Sequence, residues 1–291
     1  MMAIGFLQQP IGPMLDAWAL KHLSKHGQEK LYGKIRGLGS FGWSSSALIT
    51  AYLIQGLGWG MMYLVATVAA VFLFFIVITT PDCSLEDKSP AAARLTFSSV
   101  FGALFCNLSY VYILAVIFFL YLGVQTAYNF MGLIMKDTGG GVIDLGWTYC
   151  LDAGSEVPAM FLSVLLLSRF APRKLMVVAV FLYITRFGLI LYFQTPLVVT
   201  LTSILEGIAF GLMLTSLRKY IFDRVSIEVQ TTALTLSDAV FLSLSVMIGG
   251  VIGGWVIQNH SVMAMMGICM GSATVALTLL LVGKKFDQPA R

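Results

Sequence analysis

The sequence predicts an all-α polytopic membrane protein, a bundle of about nine transmembrane helices. Three observations carry this. The 291 residues are 58% hydrophobic and only 11% charged, where a soluble domain carries about 25% charged residues. The mean hydropathy is +0.87, which leaves too little polar surface to coat a soluble core. The apolar residues fall in runs of about 20, the length at which a helix crosses a hydrocarbon layer of about 30 Å. Only helices and closed barrels satisfy their backbone in lipid, and continuous rather than alternating runs speak against a barrel.

Taken in order, the first span is 1–20. It contains Pro10, Pro13 and Asp16 and lacks a basic start, so it does not read as a signal peptide. The second, 38–57, is entered through EKLYGKIRGLGSFGW (29–43), where cations give way to spaced glycines that permit close helix packing. The third, 60–79, follows the short GLGWG connection. Residues 81–97 form the longest polar interruption, and 98–107 are either a short interfacial helix or the start of the next span. The remaining spans are 108–135, 146–168, 175–194, 197–217, 232–257 and 262–282. Trp59 and Trp147 read as interfacial anchors. GGVIGGW (249–255) reads as a packing face.

The charges count the spans independently. Lys21, Lys25, Lys30, Lys34 and Arg36 follow the first span, and Lys88 and Arg94 the third. Arg169, Arg173 and Lys174 follow the fifth, Arg218, Lys219 and Arg224 the seventh, and Lys284, Lys285 and Arg291 the ninth. These are 16 of the 18 lysines and arginines, and the intervening connections hold only Lys136. Such alternation predicts basic loops and a C-terminus in the cytosol of an inner or plasma membrane protein. The net charge of +4 is therefore a topology signal, with lipid as the expected partner and no nucleic acid.

Enzyme and metal signatures are missing. Cys83, Cys106, Cys150 and Cys269 lie far apart, without C-x-x-C spacing, and His22, His26 and His260 fall in connections. The sequence has no H-E-x-x-H, no G-x-S-x-G, and no G-x-x-x-x-G-K-[ST] phosphate loop. No cofactor and no metal is expected, and the chain does not read as an enzyme.

Three charges stand where lipid should not hold them. Glu156 lies 13 residues from Arg169, Arg186 lies 12 from Lys174, and Glu206 lies 12 from Arg218. At a rise of about 1.5 Å per residue, all three are about 18 Å from the basic band, close to the midplane. An ionised group there costs about 2.5–3.5 kcal/mol even on lenient scales. Arg186 can neutralise only one carboxylate, which leaves the other for a proton or a solute; the alternative is a structural ion pair with the second acid neutral. Asp152 lies one turn from Glu156 on the same face. Gln125, Tyr128 and Asn129 polarise the outer half of the fourth span. Asp238 lies in the inner third of the eighth, as a gate contact or a snorkelling side chain, and Asp16 near the inner end of the first.

PIGPMLDAWAL (10–20) with YGKIRGLGSFGW (32–43) resembles the fourth-to-fifth helix junction of the major facilitator superfamily. The branch it is most similar to holds the lactose-permease-like and phenylpropionate-permease-like proton symporters. SEVP (155–158), TRFGL (185–189) and LEGIAFGLMLTSLRKYI (205–221) resemble its eighth, ninth and tenth helices, and SRFAPRK (168–174) its basic loop.

The resemblance implies a family fold of twelve helices in two halves, of which this chain matches the fourth to the twelfth. Residues 1–80 would be the second three-helix repeat of the N-terminal half, 81–107 a cytosolic linker and interfacial segment, and 108–291 the six-helix C-terminal half. Glu156, Arg186 and Glu206 would form half of a proton and substrate site, with Gln125, Asn129 and Asp152 around it. Asp16, Arg36 and Asp238 would be gate residues. The expected function is secondary active transport, proton-coupled uptake of a small polar solute such as a sugar, nucleoside or aromatic acid. The alternative is a non-transporting remnant or an assembly partner, with a separate N-terminal three-helix segment as a further partner.

Overall fold

A computed structural model describes residues 32–80, 97–226 and 229–283, with positions 15, 18, 19, 22 and 23; the side chains of 32–37, 97–101 and 242 lie outside this description. Every element among the described residues is helical. Helix α1 is Tyr32–Leu57, α2 Gly60–Thr79, α3 Phe97–Cys106, α4 Leu108–Asn129, α5 Met131–Asp137, α6 Val142–Leu167, α7 Pro172–Phe193, α8 Pro196–Phe222, α9 Gln230–Ala239, α10 Ser245–Asn259 and α11 Val262–Val282. Residues Val240–Leu244 form a π-helical turn that joins α9 to α10 in one continuous rod.

Among the described residues, six helices (α2, α4, α6, α7, α8 and α11) are long and apolar enough to cross a membrane. The two other expected spans here are helical too. Helix α1 begins at Tyr32, six residues ahead of the predicted entry at 38, so it includes Lys34 and Arg36. The span expected at 232–257 is the α9–π–α10 rod. The first expected span lies outside the described residues except at positions 15, 18 and 19, which are helical. The predicted 108–135 is two helices, broken at Phe130, and residues 97–106 are a helix separate from the span that follows.

Local chemistry sets the boundaries. Asn107 caps α4 by accepting the amide of Tyr110 at 3.1 Å, and Ser261 caps α11 by accepting that of Ala264 at 3.0 Å. Pro172 and Pro196 open α7 and α8, where a missing N–H costs nothing. Gln194 ends α7 in the left-handed region at φ 47°. The Arg173 guanidinium, at the start of α7, closes the far end of α11 by donating to the Leu280 carbonyl, where the helix dipole favours a cation.

The helices pack in a chain that bends back on itself: α2 on α1, α1 on α6, α6 on α8, α8 on α7, α7 on α11, α11 on α4 and α4 on α10. Phe241 of the π turn reaches Tyr121 of α4 and Phe210 of α8, with ring centroids 3.9 and 6.0 Å away, and so joins the two ends of the six-helix part. Helix α2 buries none of its residues. In hydrocarbon that costs little, since lipid tails are as apolar as its Val, Leu and Phe side chains.

Glycine decides the closest approaches. A Cβ at Gly207 would land on the Asp152 carbonyl and the Ser155 hydroxyl, and one at Gly211 would stand 3.1 Å from the Glu156 carbonyl. The pair forms a G-x-x-x-G stripe that presses α8 onto the backbone of α6. Gly249 and Gly253 do the same for α10 against Thr126 and Phe130, as expected of GGVIGGW, whereas Gly250 meets nothing within 4 Å. Hydroxyls tie the α6–α8 seam along its length: Thr148 to Thr200 at 3.2 Å, Ser155 to the Ile204 carbonyl at 3.2 Å, and Thr215 to Ser163 at 2.7 Å. Such bonds average about 0.6 kcal/mol each, so shape dominates the seam.

Gly207→Ala therefore wedges α8 from α6 and lowers stability by about 1–3 kcal/mol, the usual cost of overpacking, whereas Gly250→Ala leaves it unchanged. Thermal unfolding in detergent, followed by tryptophan fluorescence, compares the two; equal midpoints would contradict the packing role of Gly207.

Candidate functional site

The side chains at the centre of the bundle come from helical stripes. Tyr121, Gln125 and Tyr128 recur at i, i+4 and i+7 on α4. Tyr149, Asp152 and Glu156 recur at i, i+3 and i+7 on α6, Tyr183 and Arg186 at i and i+3 on α7, and Glu206 and Phe210 at i and i+4 on α8. These spacings put each set on one helix face. The α6–α8 seam then brings Glu206, beside Gly207, level with the Asp152–Glu156 turn. Pro158 sits in the same stretch of α6. It has no N–H for the Gly154 carbonyl, so the helix ladder is one bond short next to Glu156.

Arg186 is 0% exposed and heads the fully buried side chains by size. Its Nη1 makes an ion pair with Glu206 Oε2, and Glu206 is 5% exposed. Nε and Nη2 of Arg186 are buried without a hydrogen-bond partner among the described residues. A guanidinium offers five donors in a fixed fork, so most of its capacity faces the interior unused. Asp152 lies within electrostatic reach of Arg186, as do the hydroxyls of Tyr128, Tyr149 and Tyr183. Glu156 lies within reach of Asp152, Tyr121, Tyr128 and Tyr183. The rings of Tyr128 and Tyr149 meet edge to face at 5.3 Å between centroids.

The centre thus holds one guanidinium, three carboxyl groups and a wall of tyrosines. Its geometry can bind a polar group, take up a proton, or do both. Among the described residues no group of His, Cys, Asp and Glu has the arrangement of a metal site.

The structure brings together Glu156, Arg186, Glu206 and Asp152. The partner of Arg186 is Glu206, and Asp152, ranked below Glu156 from sequence, is the α6 acid whose charge acts on Arg186. Gln125 is half-buried on the stripe between Tyr121 and Tyr128, while Asn129 ends α4 and is exposed. Asp238 is half-buried on α9, within the fields of Arg218, Tyr110 and Tyr121. Asp16 and the Arg36 side chain lie outside the described residues. Sequence reasoning missed Tyr121, Tyr149 and Tyr183. The available signal was their register: Tyr149 stands three residues from Asp152, Tyr183 three from Arg186, and Tyr121 four from Gln125, each on the same helix.

Residues 1–266 match the MFS_1 like family, and the chain belongs to that family, within the major facilitator superfamily. A maltose permease of Geobacillus stearothermophilus is 25% identical over 284 residues, which span 96% of this chain and 69% of the permease. Together these make the chain an integral membrane protein of the transporter class, and not an enzyme.

Removing one partner of a buried ion pair costs about 3–5 kcal/mol because it strands the other charge. Arg186→Met should destabilise the protein on that scale, and Arg186→Met with Glu206→Gln should recover a large part of the loss. Unfolding midpoints of the two singles and the double give the coupling; additive losses would show that the pair does not interact.

Proposed function

We infer that the protein is a secondary active transporter that couples proton movement to uptake of a small polar solute. The observation that carries this is the charge count at the bundle centre: Arg186, paired with Glu206, has a second carboxyl, Asp152 of α6, within electrostatic reach, and Glu156 lies one turn further along α6. Two ionised carboxylates, Glu206 and Asp152, on one guanidinium in a water-poor interior are costly. A proton on one of them balances the site, and a proton that must be held there is one that can be carried. The unused Nε and Nη2 donors of Arg186 would meet acceptor oxygens of the solute. The tyrosines supply both hydroxyls and apolar ring faces, a lining suited to an oxygen-rich ring compound.

Of the solute classes expected from sequence, a sugar has the most support, because the relative is named a maltose permease. Glu206, Asp152 and Glu156 are assigned to the proton, Arg186 and Gln125 to the solute. Asp16, Arg36 and Asp238 are assigned to gating and Asn129 to the outer rim. The end of the bundle that carries Arg173, Arg218 and Lys219 is assigned to the cytosol, with the C-terminus, in a plasma membrane. The domain assignment is retained: 1–80 as one repeat, 81–107 as linker and 108–291 as the six-helix half.

One observation favours a second reading. Helix α2 buries none of its residues, as a helix does that awaits a neighbour, such as a separate three-helix segment. On that reading the chain is one part of an assembly and does not transport alone.

The purified chain in proteoliposomes separates the readings. Under an imposed pH gradient, acid outside, wild type should accumulate radiolabelled maltose or another probe from a sugar, nucleoside and aromatic-acid panel. The ratio should rise about tenfold per pH unit for one proton per solute, since both correspond to about 1.4 kcal/mol. Glu206→Gln should abolish accumulation. No flux from the wild type favours the assembly reading, and undiminished accumulation by Glu206→Gln removes that residue from the proton path.

A further inference from the structure

Helices α10 and α11 both lie on α4, and glycine sets how closely. A Cβ at Gly123 of α4 would stand 2.6 Å from the Cys269 carbonyl of α11. One at Gly253 of α10 would stand 2.6 Å from the Thr126 methyl carbon of α4. Each helix is thus drawn down onto α4, and the two meet each other far less closely than either meets α4. Between them runs a V-shaped notch, with its floor on α4 at Leu122, Gly123 and Thr126. Ile252 of α10 and Ile268 of α11 form its lips, 40% and 49% exposed, so the notch is open to the outside of the bundle.

The notch offers no polar group to a guest. Thr126 Oγ1 donates to the Leu122 carbonyl at 2.6 Å, and Ser272 Oγ donates to the Phe119 carbonyl. The rest of the lining is aliphatic side chains, glycine and Cys269, whose thiol behaves as a small apolar group. A held water needs roughly two to four polar partners, which this lining lacks. The room inside is about 40 Å³. That is more than the ~10–15 Å³ one water needs, and far less than the ~150 Å³ of an apolar cavity that takes benzene. A rigid ring does not enter such a space. A flexible hydrocarbon chain can lie along it.

Depth says where the chain comes from. Val256 and Gly249 stand 3 and 10 residues before Asn259, the last of α10. Met265 and Ser272 stand 3 and 10 residues after Val262, the first of α11. At a rise of about 1.5 Å per residue the notch runs from roughly 5 to roughly 15 Å below the α10–α11 turn. Half of a hydrocarbon layer of about 30 Å covers the same depth. The turn is at the end of α11 away from Arg173. Beside the notch Val251 and Trp255 of α10 are exposed. The Trp255 ring meets His260 edge to face at 5.9 Å between centroids, an aromatic near the level of the lipid headgroups.

We propose that this notch binds one acyl chain of a bilayer lipid, in the leaflet on the side of the α10–α11 turn. The chain lies between Ile252 and Ile268, over Thr126, with its headgroup near Trp255 and His260. Membership of a membrane transporter family puts hydrocarbon at the mouth, and the notch is a dent in a surface already in contact with it. A chain in the notch restores the contacts that a void between the helices forfeits. The inference rests on the membrane setting and not on proton coupling or on the identity of the solute.

Photo-crosslinking in proteoliposomes of the full chain tests it, with phosphatidylcholine that carries a diazirine in the middle of one acyl chain as the probe. Adducts are mapped by mass spectrometry. Helix α2, which buries none of its residues, reports ordinary lipid contact; neither it nor the stretches 249–256 and 265–272 contain an acid or a lysine to bias the chemistry. Adducts per residue in the two notch stretches should exceed those on α2 several-fold. Ile252→Trp, which fills the notch from its lip and leaves the glycines alone, should bring 265–272 down to the α2 level while α2 itself is unchanged. Notch labelling no denser than that of α2 overturns the inference, and so does dense labelling that Ile252→Trp leaves intact. If Ile252→Trp does not fold, Ile268→Trp fills the notch from the other lip, with 249–256 as the stretch to read. None of these outcomes bears on whether the protein moves protons.

Discussion

The buried pairing of Arg186 with Glu206 is the constraint on which the rest of the site depends. A guanidinium at this depth cannot stand alone, and it is among the largest side chains the protein buries completely. It needs an anion at contact distance, and that anion must come from another helix. Helix α8 supplies Glu206, and the residue after it is Gly207, whose missing side chain lets α8 come down onto the α6 backbone. The same approach sets Gly207 on the Asp152 carbonyl, and the Asp152 side chain lies within electrostatic reach of the guanidinium. Charge pairing and helix packing are here one arrangement: a methyl group at residue 207 would disturb the electrostatics as well as the seam.

Two acids, Glu206 and Asp152, act on one base. A balanced pair would be only a structural clasp. On the proposed reading, the second acid, the missing ladder bond at Pro158 and the hydroxyls of Tyr149 and Tyr183 make the centre a place where a proton or a polar solute changes the energy of the whole bundle. Because the fields of Asp152, Glu156, Arg186 and the tyrosines overlap, adding or removing one charge is felt on α4, α6, α7 and α8 together. On the proposed reading this is how solute and proton come to depend on one another.

Much of this was legible in the residues. Span lengths come from apolar runs, and α2 and α11 lie at the predicted 60–79 and 262–282. That Arg186 and Glu206 stand level enough to pair followed from counting to the nearest cation, because helical rise is constant. Which acid would pair with Arg186 did not follow, because depth says nothing about rotation around a helix axis. That was settled by the Gly207–Gly211 stripe, whose partner helix sequence does not name. The tyrosines were lost among 36 aromatic residues, most of which face lipid or core. The break at Phe130 and the π turn at 240–244 left no mark in hydropathy, since their residues are as apolar as the helices they interrupt.

The central claim is that the surplus carboxyl charge at the bundle centre is balanced by a proton. Infrared spectroscopy of the protein in lipid at neutral pH tests it most directly, by looking for the C=O stretch of a protonated carboxyl group. The account predicts such a band in the wild type, lost or shifted when Asp152, Glu156 or Glu206 is changed to its amide. A wild type without the band, or with one that none of the three substitutions alters, would mean that all three acids are ionised. The site would then be held together in some other way.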